Sequence, residues 1–317
     1  MNKIKLGISS CLLGEKVRYD GGHKLDYFLA NELGKYVEFV KVCPEVEIGL
    51  QVPREAMRLV GNPGPPRLVT QKTGIDYTNR MLTWAKECLD RLETEELCGF
   101  IFKAKSPSSG MERVKVYNES GGGVPQRNGV GIFARAFMER FPLIPVEDEG
   151  RLNDIEIREN FIIRVFTLHR WSEVKHRPHS TREVVDFHSA NKLLFFAHHI
   201  EIAREMGRLT AHAAEMEIED FYKTYETSMM KCLSYKSTLS KNSNVLYHMM
   251  GYFKKQLNPD EKQELIELIE NYRLGFYPLA VPVTLIAHYV KKYRQQYLKD
   301  QYYLNPHPIE LKLRNHA

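Results

Sequence analysis

Cysteine is scarce in this chain: five among 317 residues, an odd number, with no CxxC pair. That excludes a disulfide scaffold and fits a reducing compartment, so a cytoplasmic protein is expected. Long apolar runs are also missing. Nothing approaches the roughly 18 residues of a membrane span, and the longest run, 279–287, is interrupted by Pro282. The first residues show no apolar segment of the secretory kind. No membrane partner is therefore expected. Charge of one sign is in short supply too. The net charge is +5, with 27% charged and 43% hydrophobic residues. A disordered chain is excluded, and any nucleic-acid argument must rest on where the charges lie.

What is present divides into two halves. The length exceeds one typical domain and suits two. Residues 1–150 carry 21 Lys+Arg against 20 Asp+Glu, and the rest carry 24 against 20. Only His23 lies in the first half, against eleven histidines in the second. The expected division is 1–150, a helical connector over 151–184, and a second domain over 185–317. The fold class expected is an α/β domain with a mostly parallel sheet, followed by an all-α domain.

In the first half, strands are predicted over 5–9, 37–42 and 98–103. A helix is predicted over 76–92, with apolar residues Met81, Leu82, Ala85, Leu89 and Leu92. Alternation of strand and helix implies a mostly parallel sheet, and such sheets bind ligands beyond the carboxyl ends of their strands. Each predicted strand runs into polar or reactive side chains: Cys11 after the first, Cys43-Pro44-Glu45 after the second, and Lys105-Ser106-Pro107-Ser108-Ser109-Gly110 after the third. A lone cysteine is ordinarily a small buried hydrophobe, which suits Cys88 and Cys232. Cys98 opens its strand and falls roughly 20 Å from the carboxyl end at ~3.3 Å per residue. The glycine-rich run Gly121-Gly122-Gly123 and Gly129-Val130-Gly131 precedes a helix predicted over 133–140. Amides at a helix start can hold phosphate, with Arg127 and Asn128 facing a nucleotide. The spacing matches no Walker or dinucleotide pattern, and a flexible loop reads equally well.

The motifs Gly7-Ile8-Ser9-Ser10-Cys11-Leu12-Leu13-Gly14, Val17-Arg18-Tyr19-Asp20-Gly21, Cys43-Pro44-Glu45 and Lys105-Ser106-Pro107-Ser108-Ser109-Gly110 resemble the thiouracil desulfidase (TudS) family over about residues 3–145. The resemblance implies a [4Fe-4S] cluster on three cysteines, with one open iron that takes sulfur from a thiolated pyrimidine. Cys11 and Cys43 match two cluster cysteines, Glu45 the catalytic glutamate and Ser106 the catalytic serine. The third cluster cysteine is Ser109 here. Thiolate is the soft ligand that Fe–S clusters need, so an engineered substitution, serine ligation and loss of the cluster all stay open.

The second half reads as helices over 182–204, 219–236, 259–272 and 282–297, with 151–171 bridging the domains. Two stretches, 227–259 and 271–299, contain no Asp or Glu. They hold Lys241, His248, Lys254, Lys255, Lys291 and Lys292 among tyrosines, the composition of a surface that holds phosphates and stacks bases. Solvated lysines over a tyrosine-rich core are the alternative. Asn244-Val245-Leu246-Tyr247-His248-Met249-Met250-Gly251-Tyr252-Phe253-Lys254-Lys255 resembles the YbgA-type domain, as do Tyr272-Arg273 and Val281-Pro282-Val283-Thr284. Chains joining both resemble the tRNA 4-thiouridine desulfidases (RudS). That implies tRNA as partner and conversion of 4-thiouridine to uridine. The rivals are a cluster-free tRNA-binding protein and a desulfidase of free thiolated pyrimidines.

Overall fold

A computed structural model describes residues 3–119 and 123–315. Gly121 and Gly122 of the glycine-rich run lie outside the described residues. The chain forms two units, divided between Asn153 and Asp154. Each contains its own secondary structure.

In the first unit, β1 (Ile4–Ser9), β2 (Val37–Val42), β5 (Phe100–Phe102) and β8 (Val146–Asp148) form a parallel sheet in the order β2-β1-β5-β8. Its central strands are apolar on both faces, as a covered parallel sheet requires. Gly7 sits under the Phe100 ring, and a Cβ there would lie 2.1 Å from that ring. Phe100 stacks on Phe102, and both meet Phe133 and Phe137 of helix α3 (Ile132–Arg140), as numbered below. Truncating one such ring costs about 3–5 kcal/mol.

Among the described residues, three α-helices serve this unit: the short α1 (Pro44–Glu47), α2 (Thr78–Glu93) and α3. Buried Met81, Ala85, Cys88, Leu89 and Leu92 lie on one side of α2, the spacing the sequence shows. Leu82 is the exception, at 48% exposure. A second sheet was not expected. It joins β3 (Met57–Val60), β4 (Arg67–Thr70), β6 (Val114–Tyr117) and β7 (Gln126–Gly129) in the order β4-β3-β6-β7, with antiparallel outer pairs and a parallel centre.

The second unit is helical: α4 (Ile155–Lys175), α5 (Thr181–His198), α6 (Ile200–Ala211), α7 (Ile218–Ser234), α8 (Leu239–Gly251), α9 (Pro259–Arg273), α10 (Ala280–Lys292) and α11 (Gln296–Lys299). The helix expected over 182–204 is two helices. His199 is extended (φ −154°, ψ 107°), and its ring Nδ1 accepts from the Ile202 amide, capping α6. The helix expected over 282–297 starts earlier and stops at Lys292, because Arg294 takes a left-handed φ of 53°. Pro282 sits in its first turn, where no amide is needed. α9 begins as its Asn258-Pro259 start predicts, with a full capping box between Asn258 and Glu261. Among the described residues, no helix is long and apolar enough to cross a membrane.

Candidate functional site

Because β1, β2 and β5 are parallel, their carboxyl ends share one edge. From β1 the chain enters a single 3-10 turn, Ser10–Leu13, that holds Cys11. From β2 it enters α1, with Cys43 as the N-cap residue. From β5 it runs to the serine loop, anchored by the Lys103 amide donating to Ser9 Oγ at 2.9 Å. Cys11, Cys43, Glu45, Ser106 and Ser109 all line one cavity of about 380 Å³ at this edge. Cys98 does not line it; its amide bonds to Lys5 at the other end of β1.

The serine loop is fixed by its own backbone. Ser106 Oγ accepts from the amides of Ser108 (3.3 Å) and Ser109 (3.1 Å). Its hydrogen is therefore free for Ser108 Oγ, 3.0 Å away. Ser108 in turn donates to Glu45 Oε1 at 2.6 Å. A directed chain thus runs from Ser106 through Ser108 to Glu45. Ser108 is fully buried, and its part was not legible from the motif, where only Ser106 stood out. Ser109 is also buried, with its hydroxyl 3.4 Å from that of Ser108.

The second carboxylate oxygen of Glu45 faces the Cys43 thiol at 3.8 Å and Arg54 Nη2 at 3.9 Å. Arg54 is a further site residue that the sequence reading missed. Its side chain is 9% exposed, and its Nε is buried with no hydrogen-bond partner. Arg18, Lys103 and Lys105 add positive charge to the lining. Arg18 is held by Asp20 and Lys103 by Glu149.

Burial pushes the Cys11 thiol up to about 11, with Glu45 and Glu149 adding to the rise and Lys103 opposing it. Burial and Glu45 push Cys43 up to about 12. Without a cation between them, both are thiols at neutral pH. Among the described residues, no three or more His, Cys, Asp and Glu side chains are grouped to hold a metal. The donors at the expected positions are two thiols and one hydroxyl. This set does not fit a three-cysteine [4Fe-4S] site: the soft third corner is replaced by a harder donor that holds its proton more tightly.

The amides at the start of α3 are not available for phosphate. Ile132 donates to Pro107, and Phe133 and Ala134 both donate to the Ser108 carbonyl. The helix start holds the serine loop instead. Arg127 and Asn128 lie on β7, exposed.

In the second unit, the six side chains read as nucleic-acid contacts have different surroundings. Lys241 Nζ donates to the His198 and Lys236 carbonyls at 2.6 and 3.1 Å, closing the end of α5. Lys292 pairs with Glu261, which also accepts from Tyr293. His248, Lys254, Lys255 and Lys291 are exposed. Tyr252 stacks on Tyr297 (5.1 Å), and Phe253 is fully buried.

Comparison with known proteins follows the same division. A family model described as 2-thiouracil desulfurase matches residues 6–149, and one described as a protein of unknown function, DUF1722, matches residues 192–308. The chain is 32% identical over 158 residues to the Escherichia coli (strain K12) protein YbgA, covering 50% of this chain and 94% of YbgA. It is 29% identical over 156 residues to Bacillus subtilis (strain 168) YbbK, covering 47% of this chain and 97% of YbbK. Among solved structures, a [4Fe-4S]-dependent thiouracil desulfidase, TudS, is 32% identical, with a TM-score of 0.40 over 48% of this chain and 95% of that one. With a 2-thiouracil desulfurase match around the strand-end cavity and a YbgA relative matched over nearly its whole length, the chain belongs to the family that joins a 2-thiouracil desulfurase domain to a YbgA-type DUF1722 domain.

Proposed function

We propose that this protein removes sulfur from 4-thiouridine in tRNA, giving uridine, and that the reaction takes place in the strand-end cavity of the first unit. The observation that carries the reading is the convergence of Glu45, Arg54, Ser106, Cys11 and Cys43 on one cavity, inside the region matched by the desulfurase family. The reaction is a hydrolysis with no redox change. Water adds to C4 of the base, the C–S bond breaks, and sulfur leaves as hydrosulfide with the second proton.

Glu45 is the base in this scheme. Ser108 fixes one of its oxygens, and the other faces the cavity beside Arg54. Arg54 Nε supplies a desolvated donor to the base or to the charge developing on it. Ser106 sets the loop that orients Ser108. The base must be unstacked to enter.

The test is anaerobic incubation of 4-thiouridine-containing tRNA with the chain as it stands and with the Ser109→Cys chain, followed by mass analysis of nucleosides and assay of sulfide. Uridine and sulfide should appear in equal amounts. Glu45→Gln should slow the reaction about 10²- to 10⁴-fold. No sulfur loss from tRNA or free 4-thiouracil would sink the reading. Sulfur loss from free 4-thiouracil alone would favour the free-pyrimidine enzyme. A second reading, a tRNA-binding protein that has lost the reaction, is favoured by Ser109 at the third ligand position. It predicts tight tRNA binding by the chain as it stands, with no turnover.

A further inference from the structure

Met57, Gln71, Lys105 and Pro107 line both the strand-end cavity and a second hollow, of about 530 Å³. This hollow lies over the outer face of the mixed sheet. On β6, Val114 and Val116 are buried, which turns Lys115 and Tyr117 outward. Arg58 of β3 lies across the Tyr117 ring, its guanidinium 5.3 Å from the centroid. Arg58, Lys105, Arg113, Lys115 and Arg127 make five cations, and among the described residues no carboxylate lines the hollow. Arg113, 81% exposed, pairs with Glu112 at 3.7 Å.

One further observation points to a missing ligand. Arg58 Nε is buried with no hydrogen-bond partner. A buried donor left unpaired is destabilising unless something accepts from it. Lys105, at the junction of the two hollows, holds a left-handed φ of 62°. That conformation disfavours a non-glycine residue, and here it places a cation between the reaction cavity and the basic face.

We propose that this basic face is a groove for the RNA sugar-phosphate backbone on either side of the thiolated nucleotide, so that the first unit itself grips the RNA next to the site of reaction. The proposal rests on the tRNA reading above. Five cations on three strands and two loops match successive phosphates better than the single phosphate of a mononucleotide. The continuity through Lys105 and Pro107 lets the base enter the cavity while its backbone stays in the groove.

Lys115 and Arg127 line the groove and not the cavity. In the full chain, Lys115→Gln with Arg127→Gln should flatten the dependence of log tRNA affinity on log salt by about 1.4 to 1.8, two contacts at roughly 0.7–0.9 each. Turnover of free 4-thiouracil, measured in the Ser109→Cys background, should not change. Lys105→Gly should flatten the tRNA slope by roughly 0.7–0.9 while its melting temperature holds or rises, because glycine accepts the left-handed backbone. An unchanged salt slope in both variants overturns the groove. So does weaker binding of 4-thiouridine monophosphate with an unchanged tRNA slope, the mark of a single-phosphate site. If the slopes flatten as expected while tRNA keeps its sulfur even with the Ser109→Cys chain, the groove stands and the desulfidation reading falls.

Discussion

Replacing Ser109 by cysteine adds a third thiol at a position 3% exposed, on the wall that also holds Cys11 and Cys43. Sulfur is larger than oxygen, but the side chain borders open cavity rather than packed core, so the overpacking cost stays at or below about 1–3 kcal/mol. The larger effect is on metal capture. Thiol pKa values of about 11 and about 12 mean that each ligand gives up a proton when a cation binds at pH 7. The sign follows from the same shifts: burial favours the protonated form, so metal affinity rises with pH until the thiols ionise by themselves. With two thiols the apparent affinity for a soft divalent cation should climb about 100-fold per pH unit between pH 6.5 and 8.5. With three it should climb about 1,000-fold. Anaerobic titration with Cd²⁺, followed by thiolate-to-metal absorption at several pH values, reads that slope. Reconstitution with ferrous iron and sulfide, followed by iron and sulfide per chain, reads cluster loading. The chain as it stands should load poorly and lose iron in air, whereas Ser109→Cys should load near four irons per chain, the number in a [4Fe-4S] cluster. Equal slopes and equal iron in the two chains, with Ser109→Ala no worse, would refute the reasoning about the third ligand.

Ser108→Ala should reduce turnover in the Ser109→Cys background about tenfold or more, because Glu45 loses its 2.6 Å donor and a charge-assisted hydrogen bond is worth about 1.5–3 kcal/mol. Retained iron loading in the same variant checks that the effect is on the carboxylate, and full activity would show that Ser108 is a packing residue only. In the second unit, burial pushes His188, His198 and His307 down to about 4. Depressed histidines stabilise the fold above about pH 6.5 and cease to do so as pH falls toward 4. Each should remove about 2 kcal/mol by pH 5, so thermal melts should shift markedly downward between pH 7 and pH 5. A flat melting temperature over that range would contradict the burial of these rings.

The strand-end geometry was legible because three short segments each combine buried strand residues with a reactive residue just beyond. The chemistry of Cys11, Cys43 and Glu45 therefore pointed to one edge before any coordinates. The mixed sheet was not legible. Each of its strands has only four residues, and β7 reads Gln126-Arg127-Asn128-Gly129, with no apolar alternation to reveal it. Arg54 was missed for a related reason: it sits in an irregular segment, and only the fold shows that it faces Glu45. In the helical unit, periodicity located α5, α7, α9 and α10 but not α8 or the break at His199. A histidine that caps a new helix with its ring has the same composition as one that continues the old helix. Lys241 reads as a surface cation in sequence, yet its ammonium is spent on two backbone carbonyls.

The serine loop is shaped from outside as well as by its own hydrogen bonds. Gly131 lies so close that a Cβ there would fall 2.5 Å from the Ser108 carbonyl oxygen, and a Cβ on Gly110 would fall 2.7 Å from that of Ser106. The loop is pressed into the first turn of α3, whose free amides it satisfies. The same helix is bolted to the sheet by Phe133 and Phe137. The smallest transferable module is therefore not the five residues of the motif. Grafted onto another scaffold, the loop would arrive without the amides that shape it; carried as residues 105–137, with the helix and its aromatic anchors, it would bring its own mould. For the same reason, substitution has more room at the exposed Tyr19 of the cavity lining than at the glycines, where a single added methyl group would press on the loop backbone.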